Sequence, residues 1–191
     1  MISKERVLEV LQQTGVLLEG HFLLTSGRHS DRYLQCARVF QYPDYAEEFC
    51  QALAAAFQEE KIDVCIGPAL GGIVIAYETA RAGKTRAIFA ERDQQGVMAL
   101  RRGFSIAPGE RVLVLEDVVT TGGSVREVIE LVRKHGGQVV GVAALVDRSN
   151  GQVDFGVPFQ ALISLDVASY DPDDCPLCRQ GIPAVKPGSR R

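Results

Sequence analysis

Short apolar runs alternate with amphipathic helical patterns, and this alternation constrains the fold of the chain more than any other feature. Runs of β-branched and small apolar residues lie at 62–66, 87–90, 112–115 and 139–146. Patterns with apolar residues at i, i+3, i+4 and i+7 lie before and between these runs. Because helices that join parallel strands cover both faces of a sheet, this order predicts an α/β fold with a central, mainly parallel sheet flanked by helices.

Size, charge and cysteine content exclude several classes of protein. With 191 residues, 46% of them hydrophobic, the chain is expected to form a single domain spanning residues 1–191. The formal net charge of -3 provides no basic excess for binding nucleic acid. No apolar run approaches the roughly 20 residues of a membrane helix, so no membrane partner is expected. The five scattered cysteines favour reduced thiols and a cytoplasmic protein.

Two regions carry signals against regular core structure. Residues 91–110 are charged and contain three glycines and one proline, which predicts a long mobile excursion or a small hairpin. The tail from Asp171 is rich in Pro, Asp, Cys and Gly, which predicts a loop and a frayed terminus.

The string directly after the 112–115 run is the strongest candidate for chemistry. Ligands of open parallel sheets bind beyond the carboxyl ends of the strands, and this string leads from such an end into a helix. Free N–H groups at a helix N-terminus, with hydroxyl donors beside them, suit a phosphate. Ionised carboxylates suit vicinal sugar hydroxyls or a hydrated metal. The string predicts a site for a ribose 5-phosphate and consists of Glu116, Asp117, Val118, Val119, Thr120, Thr121, Gly122, Gly123 and Ser124.

A second glycine-rich loop follows the 62–66 run and also leads into a helical pattern. Its small residues would let backbone N–H groups approach a second anion closely. By itself such a loop is equally typical of a tight structural turn, and only its pairing with the first loop favours anion binding. The candidate binding residues in it are Ala69, Leu70, Gly71 and Gly72.

Residues 112–124 resemble the signature motif of the type I phosphoribosyltransferases, which use phosphoribosyl pyrophosphate (PRPP) with magnesium. The resemblance implies that Glu116 and Asp117 hold the ribose 2′ and 3′ hydroxyls, while residues 120–124 enclose the 5′-phosphate. The loop at 67–72 then corresponds to the family's pyrophosphate loop. Magnesium (Mg²⁺) is implied as a cofactor bound mainly through PRPP, without a direct protein ligand.

The resemblance covers most of the chain and is closest to the members that transfer the phosphoribosyl group to orotate. Residues 22–30 (FLLTSGRHS) resemble the N-terminal base-site segment of those members. This implies that Ser26 and Gly27 contact orotate, together with Thr120.

An arginine at the end of a buried strand is the second candidate for orotate binding. Residues 145–148 (LVDR) resemble the strand of the same family members that ends in such an arginine. Arg148 suits the orotate carboxylate because its guanidinium can pair with two acceptors at once. The alternative is a local ion pair between Asp147 and Arg148 that closes the strand.

The resemblance also implies an architecture and an assembly. It implies the type I phosphoribosyltransferase fold, in which residues 60–148 form the core sheet and residues 1–40 and 160–191 form a small hood that holds the base site. A mobile loop at 91–110 would close over the site and exclude water. In the family this loop reaches into the neighbouring subunit, which implies a homodimer.

The mobile loop departs from the family pattern. The usual form has an Arg-Lys start, a later lysine and a His-Gly pair, whereas residues 90–104 (AERDQQGVMALRRGF) contain no lysine. Thr25 also stands where a lysine is often found. We therefore expect Arg101 or Arg102, with Arg92, to supply the positive charge over the pyrophosphate. The alternative is an exposed basic surface loop.

Cys175 and Cys178 have the spacing of two metal ligands. No second Cys or His pair follows them, and His21, His29 and His135 are far away in the sequence. Because half of a zinc motif is weak evidence, the sequence favours a thiol pair without a metal.

Two other functions stay open as alternatives. A purine phosphoribosyltransferase would carry a similar acidic signature, and a regulator could bind PRPP without catalysis. The lack of a basic patch and of a separate DNA-binding domain argues against a regulator. A P-loop ATPase and a dinucleotide-binding protein are excluded, since neither glycine motif occurs.

Overall fold

The computed structural model describes residues 2–24 and 26–187, which fold into a six-stranded sheet and a separate two-stranded hairpin. The strands are β1 Leu17–Leu23, β2 His29–Leu34, β3 Val64–Pro68, β4 Arg86–Arg92, β5 Met98–Leu100, β6 Arg111–Val119, β7 Gln138–Asp147 and β8 Phe159–Ser164. The helices are α1 Lys4–Gln13, α2 Pro43–Ala56, α3 Gly71–Gly83, α4 Gly123–Lys134 and the short α5 Pro176–Arg179. Two 3₁₀ turns span Cys36–Gln41 and Pro172–Asp174.

The large sheet has the strand order β5-β4-β3-β6-β7-β8, and only β5 runs antiparallel to its neighbour. Side chains of β6 alternate between two cores, as the two-residue period of a strand requires. Leu113 and Leu115 face the core that includes residues of α1, α2 and α3, whereas Val112 and Val114 face the core that includes α4. The predicted α/β fold with a mainly parallel sheet is therefore confirmed.

The face of α3 differs from the one that its sequence pattern indicated. The pattern placed Ile73, Ala76, Tyr77 and Ala80 together, but Tyr77 is 61% exposed. The buried side chains are Ile75, Ala76, Thr79 and Ala80, which form an equally regular helical stripe shifted around the axis.

The charged stretch 91–110 contains more structure than its composition indicated. β5 pairs with the end of β4 through Ala90↔Leu100 and Arg92↔Met98, which makes the small hairpin of the prediction. Met98 and Ile106 are buried against the α4 side of the sheet, so the expectation of no core element here is wrong. The glycines occupy the turns: Gly96 has φ +80° and Gly103 has φ +77°.

The hood consists of the β1–β2 hairpin and the chain after Ser164. The amide of His29 donates to Tyr170, and the amide of Leu23 donates to Val185. Residues 171–187 are largely loop, as expected, but they also contain a 3₁₀ turn, the short α5 and a bridge from Val185 to Phe22. Residues 188–191, where a frayed terminus was expected, lie outside the described part. β8 lies inside the range assigned to the hood but pairs with β7 in the large sheet.

None of the described helices combines the length and the apolar character needed to cross a bilayer.

Candidate active site

The acidic residues of the first loop lie on the central strand itself, because β6 continues through Val119 instead of ending at Leu115. Glu116 is only 8% exposed, and Asp117 is half-buried. The amide of Val118 donates to the Asp117 carboxylate at 2.8 Å, which helps to fix that side chain. Two carboxylates thus lie at the carboxyl end of the middle strand, where ligands of such sheets bind.

The turn after β6 has the shape of an anion site. Thr120 and Thr121 are exposed, and α4 begins at Gly123. Among the described residues no side chain caps this helix, so its first N–H groups can meet an anion. Gly122 has φ +75°, and a Cβ there would lie 2.8 Å from the Phe155 ring, which restricts this position to glycine.

The second glycine-rich loop is held in an equally close arrangement. A Cβ on Gly67 would lie 2.2 Å from the carbonyl oxygen of Gly72, so the two ends of the loop are in backbone contact. α3 begins at Gly71, and again no described side chain caps it. Leu70 is 76% exposed at the tip. The loop therefore exposes a helix N-terminus beside the sheet edge.

The two loops meet at Asp117. A Cβ on Gly71 would lie 2.8 Å from both carboxylate oxygens of Asp117, so only a glycine allows this approach. β3 and β6 are adjacent parallel strands, which places their carboxyl ends, and the helix N-termini that follow, side by side. The structure thus joins the two predicted anion loops into one site with an acidic group between them.

Arg148 lies at the same edge, where its amide donates to the carbonyl of Val119 at 2.8 Å. Its Nε is buried, and no acceptor among the described residues reaches it. Burial lowers the pKa of its guanidinium, and the nearby Cys36 and Tyr33 oppose that shift. A buried guanidinium donor that lacks an acceptor is the arrangement that a carboxylate ligand would complete.

The alternative interpretation of Arg148 was a local ion pair with Asp147, and the described structure does not show this pair. The Asp147 carboxylate accepts from the amide of Ser149 at 2.7 Å and so caps the turn after β7.

Sequence reasoning missed two residues of this site. Tyr33 on β2 lies within electrostatic range of Arg148. Cys36 was interpreted as a core thiol, and it is buried, but Asp117 and Glu116 also raise its pKa while burial is the largest cause. Both follow the base-site segment closely in the chain, and that proximity was the only available signal.

Comparisons with known proteins assign the chain to a family. The phosphoribosyl transferase domain model matches residues 41–155. An orotate phosphoribosyltransferase from Pelotomaculum thermopropionicum is 62% identical over 190 residues, which cover 100% of both chains. The chain belongs to the orotate phosphoribosyltransferase family.

Solved structures agree with this assignment at the level of fold. The crystal structure of orotate phosphoribosyltransferase from Aeropyrum pernix has a TM-score of 0.71 and 26% identity, covering 83% of this chain and 93% of that one. An adenine phosphoribosyltransferase from Rhodothermus marinus has a TM-score of 0.66 and 22% identity, covering 85% and 100%. The second likeness shows the shared type I phosphoribosyltransferase fold alone.

The hood segment that resembles the orotate site of the family lies at the tip of the β1–β2 hairpin. Ser26 is exposed, and its hydroxyl accepts from the amide of Arg28 at 3.4 Å. Gly27 has φ +81° and donates its N–H to the carbonyl of Leu24. Thr25 lies outside the described residues. Ser26 and Gly27 are therefore at the opposite end of β2 from Tyr33.

The arginines expected to cover the pyrophosphate are paired with acidic residues in this structure. Arg92 contacts Glu127 of α4 at 2.8 Å. Arg101 and Arg102 both contact Glu91, at 3.9 and 3.1 Å. All three arginine side chains are about half exposed, and so is Glu127, so the Arg92–Glu127 pair can open at little cost in free energy. Glu91 is only 17% exposed, so opening either of its pairs costs more.

Proposed function

We propose that this chain transfers the 5-phosphoribosyl group of PRPP to orotate, giving orotidine 5′-phosphate and pyrophosphate in pyrimidine biosynthesis. The observation that carries the proposal is the buried, acceptor-lacking Nε of Arg148 at the same sheet edge as the two anion loops. Full-length similarity to named orotate phosphoribosyltransferases supports the same substrate.

The donor is expected to span both loops. The turn from Thr120 to Ser124 offers the α4 N-terminus to the 5′-phosphate, and Gly71 offers the α3 N-terminus to the pyrophosphate. Between them, the carboxylates of Glu116 and Asp117 accept hydrogen bonds from the ribose hydroxyls. Val118 and Val119 continue the strand that orients these groups, and Ala69, Leu70 and Gly72 complete the second loop.

The reaction breaks the bond between the anomeric carbon and the pyrophosphate oxygen and forms a bond to a ring nitrogen of orotate, whose proton is lost. Positive charge develops on the ribose while negative charge develops on the leaving group. Glu116 and Asp117 would stabilise the ribose charge. Arg101 or Arg102, with Arg92, would stabilise the pyrophosphate once released from their partners Glu91 and Glu127.

The site also suits Mg²⁺, which prefers oxygen ligands and retains several waters. The Asp117 carboxylate oxygens face Gly71 at the pyrophosphate loop, so a hydrated ion bound through PRPP would find acceptors there. When bound, the ion would neutralise negative charge on the leaving group.

Orotate is expected to lie between Arg148 and the hood. Arg148 would pair with the carboxylate of the base, and Thr120 lies at the start of the turn that follows the neighbouring strand. Ser26 and Gly27 would contact the base from the hairpin tip. Tyr33 and the buried Cys36 both lie within electrostatic range of Arg148.

Substitution of Arg148 tests the substrate. We expect Arg148→Ala to lower kcat/KM for orotate by about 10²- to 10³-fold, because removing one partner of a desolvated charge pair costs several kcal/mol. The matched variant Arg148→Lys keeps the charge but loses the fork and should recover only part of the loss. Pyrophosphate release would be followed with orotate, adenine and hypoxanthine. Unchanged orotate kinetics in Arg148→Ala, or release with a purine and not with orotate, would contradict the proposal.

We further propose that the enzyme works as a homodimer. Leu70, Val74 and Tyr77 expose 76%, 40% and 61% of their surface along one side of α3, and a second copy of the chain would cover them. Sedimentation velocity of the wild type and of Tyr77→Glu tests this: the variant should shift towards the monomer, and a monomeric wild type would contradict the dimer.

The cellular setting is proposed from charge and cysteine state. None of the five cysteines forms a disulfide in this structure, which suits the reducing cytoplasm. The net charge of -3 gives no support for a nucleic-acid partner.

A further inference from the structure

Two histidines and two cysteines converge in the hood. One ligand atom from each of His21, His29, Cys175 and Cys178 lies within 4.8 Å of the other three. His21 is 4% exposed and Cys175 only 1%, whereas Cys178 lies at the surface. The four residues are widely separated in the chain, since His21 and Cys175 are 154 positions apart.

We propose that these four residues bind a structural Zn²⁺ ion that joins the N-terminal hairpin to the C-terminal segment. Two cysteines and two histidines are a common ligand set of closed, four-coordinate zinc sites. Two thiolates and two neutral imidazoles balance the charge of the ion, so the site can be partly buried without an excess charge.

The distances between the ligand atoms suit a tetrahedral ion. Zinc bonds of about 2.3 Å to sulfur and about 2.0 Å to nitrogen imply ligand–ligand separations of roughly 3.3–3.8 Å. His21 Nε2 lies 3.5 Å from Cys175 Sγ and 3.9 Å from Cys178 Sγ. His29 Nδ1 lies 3.2 Å from Cys178 Sγ and 2.9 Å from His21 Nε2. Because all four atoms lie within 4.8 Å of one another, shifts of up to about 1 Å would complete the coordination sphere.

The hydrogen bond of His21 fixes which of its nitrogens faces the cluster as an acceptor. Its Nδ1 lies 2.6 Å from the carbonyl oxygen of Ile182, and because a carbonyl only accepts, Nδ1 carries the proton. Nε2 therefore presents a lone pair to the cluster, and zinc-bound histidines commonly make this second bond to a backbone carbonyl. This lone pair is surrounded by His29 Nδ1, Cys175 Sγ and Cys178 Sγ, but it can accept a hydrogen bond from only one of them. A cation at the centre of the cluster would instead be a partner for all four ligand atoms at once.

The local structure explains why an ion is needed here. A two-stranded hairpin is marginally stable alone, and between Leu165 and Pro187 only Cys175 is buried. Backbone bonds connect the segment to the hairpin, such as the amide of His29 to Tyr170 and the amide of Val185 to His21. With so little apolar burial, a metal cross-link would supply the stability that a core supplies elsewhere.

Metal analysis of the full chain tests the site. Protein purified without chelators should contain about one zinc per chain. After zinc removal, Co²⁺ should give the intense ligand-field bands of a tetrahedral site with two sulfur and two nitrogen ligands, together with a thiolate charge-transfer band. Failure to bind zinc on reconstitution, or no tetrahedral cobalt spectrum, would overturn the proposal. A Cys175–Cys178 disulfide in protein kept under reducing conditions would overturn it as well.

Variants locate the ion. Cys178→Ser changes an exposed side chain and should fold, but it should lose the zinc, as should His29→Gln. The controls His135→Gln and Cys65→Ser make the same chemical changes elsewhere and should retain it. Full zinc binding by Cys178→Ser, or an equal loss of zinc from His135→Gln, would show that the ion binds elsewhere and would contradict the proposal.

Stability gives an independent readout. Removing zinc should lower the Tm of the wild type by roughly 10 °C, whereas Cys178→Ser should not respond to the chelator. Hydrogen exchange at the amides of Leu23, His29 and Val185 should rise in parallel. An unchanged Tm and unchanged exchange after complete zinc removal would contradict a structural role. None of these measurements uses the enzymatic activity, so they stand apart from the proposed function.

Discussion

The donor site and the hood are built from the chain in opposite ways. The donor site takes its groups from two short contiguous strings, each at the end of a central strand and the start of a helix. The hood assembles residues that are about 150 positions apart, on a hairpin and a segment with almost no apolar core. The first region is positioned by the sheet; the second depends on individual polar contacts.

This difference determines what holds each region in shape. At the donor site the backbone is decisive, since Gly67, Gly71 and Gly72 lie so close to other groups that a Cβ would collide with them. In the hood the side chains of four ligands are decisive, because the metal they bind replaces a hydrophobic core. A substitution should therefore affect activity mainly in the first region and stability mainly in the second.

Asp117→Asn is the most severe test of the donor site. It keeps the size of the side chain but removes the charge that we propose faces the ribose, so kcat should fall by about 10²- to 10³-fold. The Tm should stay close to that of the wild type. Initial rates with PRPP and orotate, alongside thermal unfolding, measure both effects.

The matched control for this variant is Glu130→Gln, which neutralises an exposed carboxylate on α4. It should retain wild-type kcat. A rate for Asp117→Asn within about threefold of wild type would show that the acidic pair is not part of the chemistry.

Gly122→Ala tests the backbone of the turn. The new methyl group would meet the Phe155 ring at 2.8 Å and Val153 at 2.9 Å, in a residue whose φ is +75°. We expect a loss of about 2–4 kcal/mol in the free energy of unfolding, measured with urea. Gly109→Ala is the control, because its φ is +84° with no atom within 4 Å, and it should cost only about 1 kcal/mol. Equal losses would mean that the turn relaxes around the methyl group.

Arg101→Ala and Arg102→Ala test the role of the loop at 91–110, which belongs neither to the donor site nor to the hood. At least one should lower kcat by about 10- to 100-fold by removing positive charge from the leaving group. Stability should fall only slightly, since each arginine is at least half exposed and Glu91, which is 17% exposed, keeps the other arginine as a partner. Arg133→Ala on α4 serves as a control for loss of a surface charge. Near-native rates in both loop variants would show that neither arginine stabilises the leaving group.

The sequence predicted the strand, turn and helix of the proposed donor site because their signal is local. The apolar run at 112–115, the acidic pair and the glycine turn are contiguous, and a strand followed by a helix is the only simple way to fold them. The sheet around it followed from the same periodicity. The contribution of Met98 and Ile106 to the core was missed, because glycine and charge in the loop outweighed two isolated apolar residues.

The hood could not be predicted in this way because its contacts are long-range. The Cys175–Cys178 pair was visible, but its partners lie on strands that the sequence pattern did not reveal. Glu19, Gly20, His21 and their neighbours carry no clean alternation, and the strand pairing shifts register between Glu19 and Phe22. The site of Tyr33 and Cys36 was missed for the same reason, since Arg148 reaches them only through the tertiary fold.

Thiol labelling offers the mildest test, because it changes neither sequence nor fold. Burial raises the pKa of Cys50 to about 12 and that of Cys65 to about 11, and it also raises the pKa of Cys36. Only the thiolate is alkylated, so these three should stay unlabelled by iodoacetamide at pH 8, with labelling expected only at higher pH or after unfolding. Mass spectrometry should show that chelation makes Cys178 reactive while the core thiols stay protected. Equal labelling of Cys178 before and after chelation would argue that no metal shields it, whereas labelling of Cys65 in the native state would show that the core, and not the hood, is the region that opens.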